Sequence, residues 1–206
     1  MRKDLGESKN IFYFNACGEI NTEKTLKLAI ERARELRIKK LVVASETGAS
    51  ALKAAEMLRG SGINLIAVTS AAGTKIEDTA IGDLRIGIPN NRIWNQLEKS
   101  GAEIIRGTDP LYNIGAALER NHVPTLATTV RLCFRAISSG TAVCVTATLM
   151  VTDNGLLREG EDVVATAGSW IGLDTAVVLR ATNSVNLLRP GALQIREIIC
   201  KPRNPA

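Results

Sequence analysis

Aromatic residues make up 3% of the 206 residues, so the core has to be aliphatic. Nothing in the sequence forms an aromatic platform, a zinc cluster or an RNP motif, which places nucleic-acid binding last among the functional readings. Histidine occurs once, at His122, between Asn121 and Val123 on an expected loop. A histidine-based metal site or a catalytic triad therefore finds little support, and no metal is expected. The four cysteines, Cys17, Cys133, Cys144 and Cys200, contain no CxxC pair, and no apolar signal-like run follows a basic start. Reduced thiols in a cytoplasm are the expectation. The longest uncharged stretch, Ala136 to Thr152, stops short of a membrane span and reads as a buried segment.

What the chain does have is globular. Hydrophobic residues make up 45% and charged residues 23%, values that exclude both a disordered and a fibrous protein. At this length the default is one compact domain over 1–206. The net charge of +5 and pI near 9.2 suggest a mild preference for anionic partners. Much of that excess lies between Lys24 and Lys40, where it alternates with Glu31 and Glu35. A solvated helix face explains it.

Periodicity organises the first half. IFYFNA (11–16) reads as a buried strand, and Asn21 or Thr22 can cap a helix whose apolar positions Leu26, Ala29, Ile30, Ala33 and Leu36 recur at three and four residue spacing. LVVAS gives a second strand, SALKAAEMLRG a helix ending at Gly60, and NLIAVTS a third strand. This alternation predicts an α/β fold, with a parallel sheet between helices. Residues 71–90 read as a long loop or small excursion, NRIWNQLEKSG as a helix and AEIIRGT as a fourth strand. Thr125 to Met150 reads as two helices broken near Gly140. EDVVATAG, TAVVLRA and LQIREIIC then predict three late strands, an antiparallel edge on the mostly parallel sheet.

The chemistry concentrates where the second strand meets its helix. A turn of small hydroxyl residues opens a helix whose first amides have no internal partners, and with the helix dipole this forms a site for phosphate or carboxylate. Ser45, Thr47 and Ser50 can each donate, Gly48 lets a ligand approach the backbone, and Ala49 and Ala51 complete the turn. The turn contains no lysine, so it is not a nucleotide-hydrolysing P-loop. The bland alternative is that Ser50 or Thr47 only caps the helix.

From Leu41 to Thr69 the sequence resembles the C-terminal domain of pyruvate kinase, whose second strand runs into a (S/T)-x-(S/T)-G-x-(S/T)-A turn and whose third ends in A-V-T. Here those positions are Ser45, Thr47, Gly48, Ser50 and Ala51, then Ala67, Val68 and Thr69. GLLREGEDVVATAGSWIGLDTAVVLRA resembles the same domain's ending, with Gly160, Glu161 and Asp162 before a strand and Gly168, Trp170, Gly172 and Thr175 in and after a loop. The resemblance runs from about Ile11 to Cys200, poorest over 71–125, and is strongest to stand-alone prokaryotic proteins of this domain type. It implies a three-layer α/β/α fold, a turn that cradles one phosphate of a sugar-bisphosphate effector, and a late loop that closes over that ligand. Two departures matter. No barrel domain is present, so kinase activity is not expected, and the loop has Ser169, Trp170 and Ile171 where an arginine would hold a second phosphate.

A ligand of such a sheet sits outside the carboxyl ends of its strands, which adds Asn15, Cys17, Thr69 and Thr108 as crevice residues. One phosphate at the Ser45 turn and an indole at Trp170 suit a mononucleotide, and flavin mononucleotide (FMN) is favoured because its ring is large, flat and apolar. Trp170 as a packed loop residue carries equal weight. Asp174 can accept from ligand hydroxyls or cap the turn, and capping is the commoner use. Cys17 could be a reactive thiol near a helix N-terminus or a quiet one. The leading expectation is a sensor or regulatory module for a small phosphorylated molecule; the alternative is a flavin-dependent oxidoreductase using the same pocket. Self-association into a homo-oligomer is expected under either.

Overall fold

The computed structural model describes residues 6–73, 75–79 and 82–204. Positions 74, 80 and 81 of the excursion expected over 71–90 lie outside the described residues, as do 1–5 and 205–206 of the expected domain.

Three neighbouring strands at the centre of the sheet are built from residues apolar on both sides of the pleat. On β2 (Lys40–Ala44), Leu41 and Val43 enter one core while Val42 enters the other, and on β3 (Asn64–Ser70) Leu65 and Ala67 oppose Ile66 and Val68. The same split recurs on β7 (Asp162–Ala167), where Val164 faces one way and Val163 and Ala165 the other. A strand with no polar face needs helices on both sides. On one side α1 (Thr22–Glu35), α2 (Ala49–Met57) and α3 (Asn91–Lys99) supply them. On the other lies α6 (Ser139–Asp153), with α4 (Asn113–Glu119) and α5 (Leu126–Arg135) outside it. The result is the expected three-layer α/β/α arrangement. The helix break falls at 136–138, where Ser138 caps α6 by accepting from Thr141 N, so Gly140 sits inside the first turn.

The seven-stranded sheet has the order β1-β9-β8-β7-β2-β3-β6, with β1 at Phe12–Phe14, β6 at Glu103–Gly107, β8 at Thr175–Arg180 and β9 at Gln194–Pro202. β2 runs parallel to β3 and to β7, and β3 runs parallel to β6. The antiparallel part is made by the late strands: β8 pairs antiparallel with β7 and β9, and is the one reversed strand. β7 itself is central rather than part of an edge.

Two sequence expectations change. β1 is not a buried strand; it is a short edge strand paired parallel with β9, with Phe12 at 41% and Tyr13 at 39% exposure. The places beside β2 go to β3 and β7, which bury apolar side chains on both faces, whereas only Phe14 of β1 is buried. The excursion after β3 contains a hairpin, β4 (Lys75–Thr79) and β5 (Gly82–Arg85), which forms its own two-stranded sheet. Among the described residues no helix is long and apolar enough to cross a membrane.

One ion cluster fastens α1 to β9. The Arg32 guanidinium, nearly buried, donates to Glu197 through Nε (2.7 Å) and Nη2 (2.8 Å), and to Glu35 (2.6 Å) and Glu7 (3.1 Å). Glu197→Ala removes the bidentate partner, and urea unfolding should show a loss of about 1.5–3 kcal/mol, the range for hydrogen bonds to charged groups. Arg32 also holds the Glu35 carboxyl below its ordinary value. The stability from that pair is therefore complete above the unfolded glutamate pKa and is lost as pH falls through the lower folded value.

Candidate functional site

Helices α1, α2, α3 and α6 each lead into a strand of the common direction, so their N-termini gather at the edge where those strands end. Along that edge lie the ends of β7, β2, β3 and β6, which carry Gly168, Ser45, Thr69 and Thr108 in that order. Val43↔Thr166 is the last registered pair of β2 and β7, so the segments that follow, from Ser45 and from Gly168, leave the ends of neighbouring strands. The two segments singled out by sequence thus meet side by side, although more than a hundred residues separate them.

At the Ser45 turn the backbone goes left-handed at Gly48 (φ 89°) and enters α2. Ala51 N donates to Ser45 Oγ (3.3 Å) and Ala49 N to Thr47 Oγ1 (3.4 Å), both long bonds. The first regular helical bond runs from Leu52 N to Gly48 O (2.9 Å). The amides of Thr47, Gly48 and Ser50 find no acceptor among the described residues. Because Ser45 and Thr47 act as acceptors here, their hydroxyl protons remain available to donate outward. Capping and ligand binding are therefore compatible at this turn. Gly48 has a further duty: a Cβ there would run into Ile93 Cγ2 and press on Ile88 Cγ2 at 3.2 Å. Ile88 N also donates to Glu46 O (2.8 Å), so the root of the hairpin lies over the turn.

In the 168–175 loop the parts divide. Asp174 is fully buried; its Oδ2 accepts from Gly18 N (2.9 Å) and Ser169 N (3.1 Å), and its Oδ1 from Thr175 Oγ1 (3.0 Å). Thr175, also fully buried, meets Ser138 Oγ at 3.1 Å. Both residues hold the loop in shape from beneath. Gly168 and Gly172 let backbone pack on backbone, since a Cβ at either would strike Gly172 O or Glu19 Cα respectively. α1 takes part as well: Leu173 N donates to Thr22 Oγ1 (3.0 Å), and Asn21 uses its side chain on Ala16 O (2.7 Å) instead of on the helix. Trp170 stands at the tip, 75% exposed and at φ 75°, a backbone region that costs a bulky residue energy. Ser169 is 4% exposed, and its Oγ is buried with no hydrogen-bond partner.

The remaining crevice residues scatter. Thr69 is buried, and its hydroxyl donates to Glu46 Oε2 (2.8 Å). Thr108 lines a cavity of about 360 Å³ with Asp109, Leu111, Ile114 and Leu118. Burial pushes the Asp109 carboxyl up, while the bond from Leu111 N and the Arg131 charge oppose the shift. Asn15 is exposed near the edge strand, and Cys17 Sγ reaches Asn204 O at 3.6 Å. A second cavity, about 770 Å³, opens beside β1 and β9 between Phe12, Leu28, Arg32 and Ile198. Neither cavity is lined by the Ser45 turn or the Trp170 loop. No group of three or more His, Cys, Asp or Glu among the described residues could hold a metal ion.

Sequence reasoning missed Glu46, Ser70, Gly18 and Ser138. The signal for Glu46 was present: an acidic residue between two hydroxyls, with the pair Thr69-Ser70 ending the next strand in register.

The family described as pyruvate kinase, alpha/beta domain, matches residues 23–179. Among solved structures, a pyruvate kinase from Cryptosporidium parvum is similar, at 14% identity over 78% of this chain, with a TM-score of 0.39. The chain spans 22% of the length of that pyruvate kinase.

All four cysteines are free. Burial pushes the Cys144 thiol well up and Cys200 to about 12, whereas Cys133 is exposed and Cys17 half-buried. Alkylation of the folded protein should label Cys133 and Cys17 and spare Cys144 and Cys200 until denaturant is added, as mass spectrometry would record. Asp174→Ala strands three donors and should destabilise the fold by about 3 kcal/mol or more in thermal or urea unfolding.

Proposed function

Since the chain belongs to the pyruvate kinase alpha/beta domain family, we infer that it binds a phosphate-bearing small molecule at the edge formed by the Ser45 turn and the Trp170 loop. The observation that carries this reading is the set of unpartnered amides of Thr47, Gly48 and Ser50 at the start of α2, flanked by the Ser45 and Thr47 hydroxyls. Such amides point at an anion, and the helix dipole adds to the attraction. Trp170 supports a flat ligand body, because an exposed indole on the neighbouring loop offers its face for stacking. FMN meets both demands with one phosphate and one large ring. Asp174 and Thr175 act from below as supports of the loop rather than as ligand contacts.

The protein then works as a sensor or regulatory module without kinase activity. Absorption and mass spectra of the purified protein, before and after denaturation, test the ligand. Release of FMN supports the reading, and release of a phosphate-free molecule overturns it. If flavin is bound, reduction by a nicotinamide donor separates an oxidoreductase from a sensor. Ser50→Ala and Thr47→Ala should each weaken the phosphate ligand by about 1–3 kcal/mol where a buried hydrogen bond is lost, measured by calorimetric titration.

A further inference from the structure

The Ser45 turn contains one residue whose charge runs against an anion site. Glu46 does not point away into water. Its Oε2 accepts from Thr69 Oγ1 (2.8 Å) and Ser70 N (3.1 Å), and its Oε1 accepts from Ser70 Oγ (2.6 Å). Three donors on the end of β3 thus fix a carboxylate in the residue that precedes the free amides of Thr47 and Gly48. None of the ion pairs formed among the described residues involves Glu46. Its carboxylate is held in place by neutral hydrogen bonds alone.

A carboxylate oxygen accepts about two hydrogen bonds. Oε2 is filled, whereas Oε1 takes one, so it has room for one donor from outside. A ligand hydroxyl supplies such a donor, and a second phosphate supplies only further negative charge. The loop after β7, the strand beside β2, carries a second polar group without a partner, the buried Ser169 Oγ. We propose that Glu46 makes the turn selective for phosphate monoesters carrying a hydroxyl on the carbon chain next to the phosphate, and selects against ligands with a second phosphate. This deepens the phosphate reading above and rests on it.

The test uses two matched pairs of probes: glycerol phosphate against propyl phosphate, and a hexose monophosphate against the corresponding bisphosphate. Each is titrated calorimetrically into the wild-type protein, Glu46→Gln and Ser50→Ala. The wild type should prefer the hydroxylated monoester and the monophosphate by about tenfold each, the scale of one charged contact near a protein surface. Glu46→Gln should bring both ratios toward one. Ser50→Ala should weaken all four probes together and leave the ratios intact. A Glu46→Gln protein with unchanged ratios overturns the proposal while leaving the cradle standing, because a residue that only straps the turn to β3 would move all ligands alike. Should that variant fail to fold, the wild-type comparison decides alone, and equal or tighter binding of the bisphosphate sinks the idea. A wild-type protein that binds none of the probes defeats the cradle reading and this one with it.

Discussion

The parallel pairing of β2 with β7 is the contact on which the rest depends. Leu41, Val42 and Val43 face Val164, Ala165 and Thr166, and the Thr166 hydroxyl adds a bond to Val42 O at 3.2 Å. This join ties an early unit of alternating strands and helices to a late antiparallel meander. All six side chains are fully buried, so the seam belongs to both cores at once. It also decides where function can reside. One parallel register sets the hydroxyl turn after β2 beside the tryptophan loop after β7, and a slip of one residue would exchange the two faces of the strand.

Beneath that edge the protein uses polar groups as framework. Asp174 collects two backbone amides and one hydroxyl with no exposure of its own, and Glu46 gathers one amide and two hydroxyls from the end of β3. Both carboxylates convert loops into fixed shapes, since acceptors that gather several donors at once are costly to disturb. They differ in access. Asp174 is sealed beneath its loop, whereas Glu46 is half-buried at the mouth of the turn.

Much of the fold was legible because apolar patterns on both faces of a strand, and helical spacing between strands, are local signals. LVVAS and NLIAVTS declare buried strands within a few residues, and Gly48, Gly60 and Gly101 mark the boundaries of helices. The place of β1 was not legible, because FYF says nothing about which neighbour it will have; that is settled by competition with longer strands elsewhere in the chain. Ser45, Thr47 and Trp170 were visible as chemistry. The roles of Asp174 and Gly18 were not, since the bond between them spans 156 positions and follows only from the assembled sheet. Trp170 reads in the sequence as either packed or stacking, and its exposure decides against packing.

The edge pairing of β1 with β9 has a consequence for synthesis. Phe12 lies opposite Cys200, so β1 has no partner in this sheet until β9 has been made. Until β9 arrives, β8 also lacks one of its two neighbours, while β2, β3 and β6 can already pair among themselves. Closing a loop that spans nearly the whole chain is slow, and the unpaired edge of β8 is exposed in the meantime. The nascent chain therefore emerges as a partial sheet with one sticky margin. Completion of the seven-stranded sheet is timed by β9.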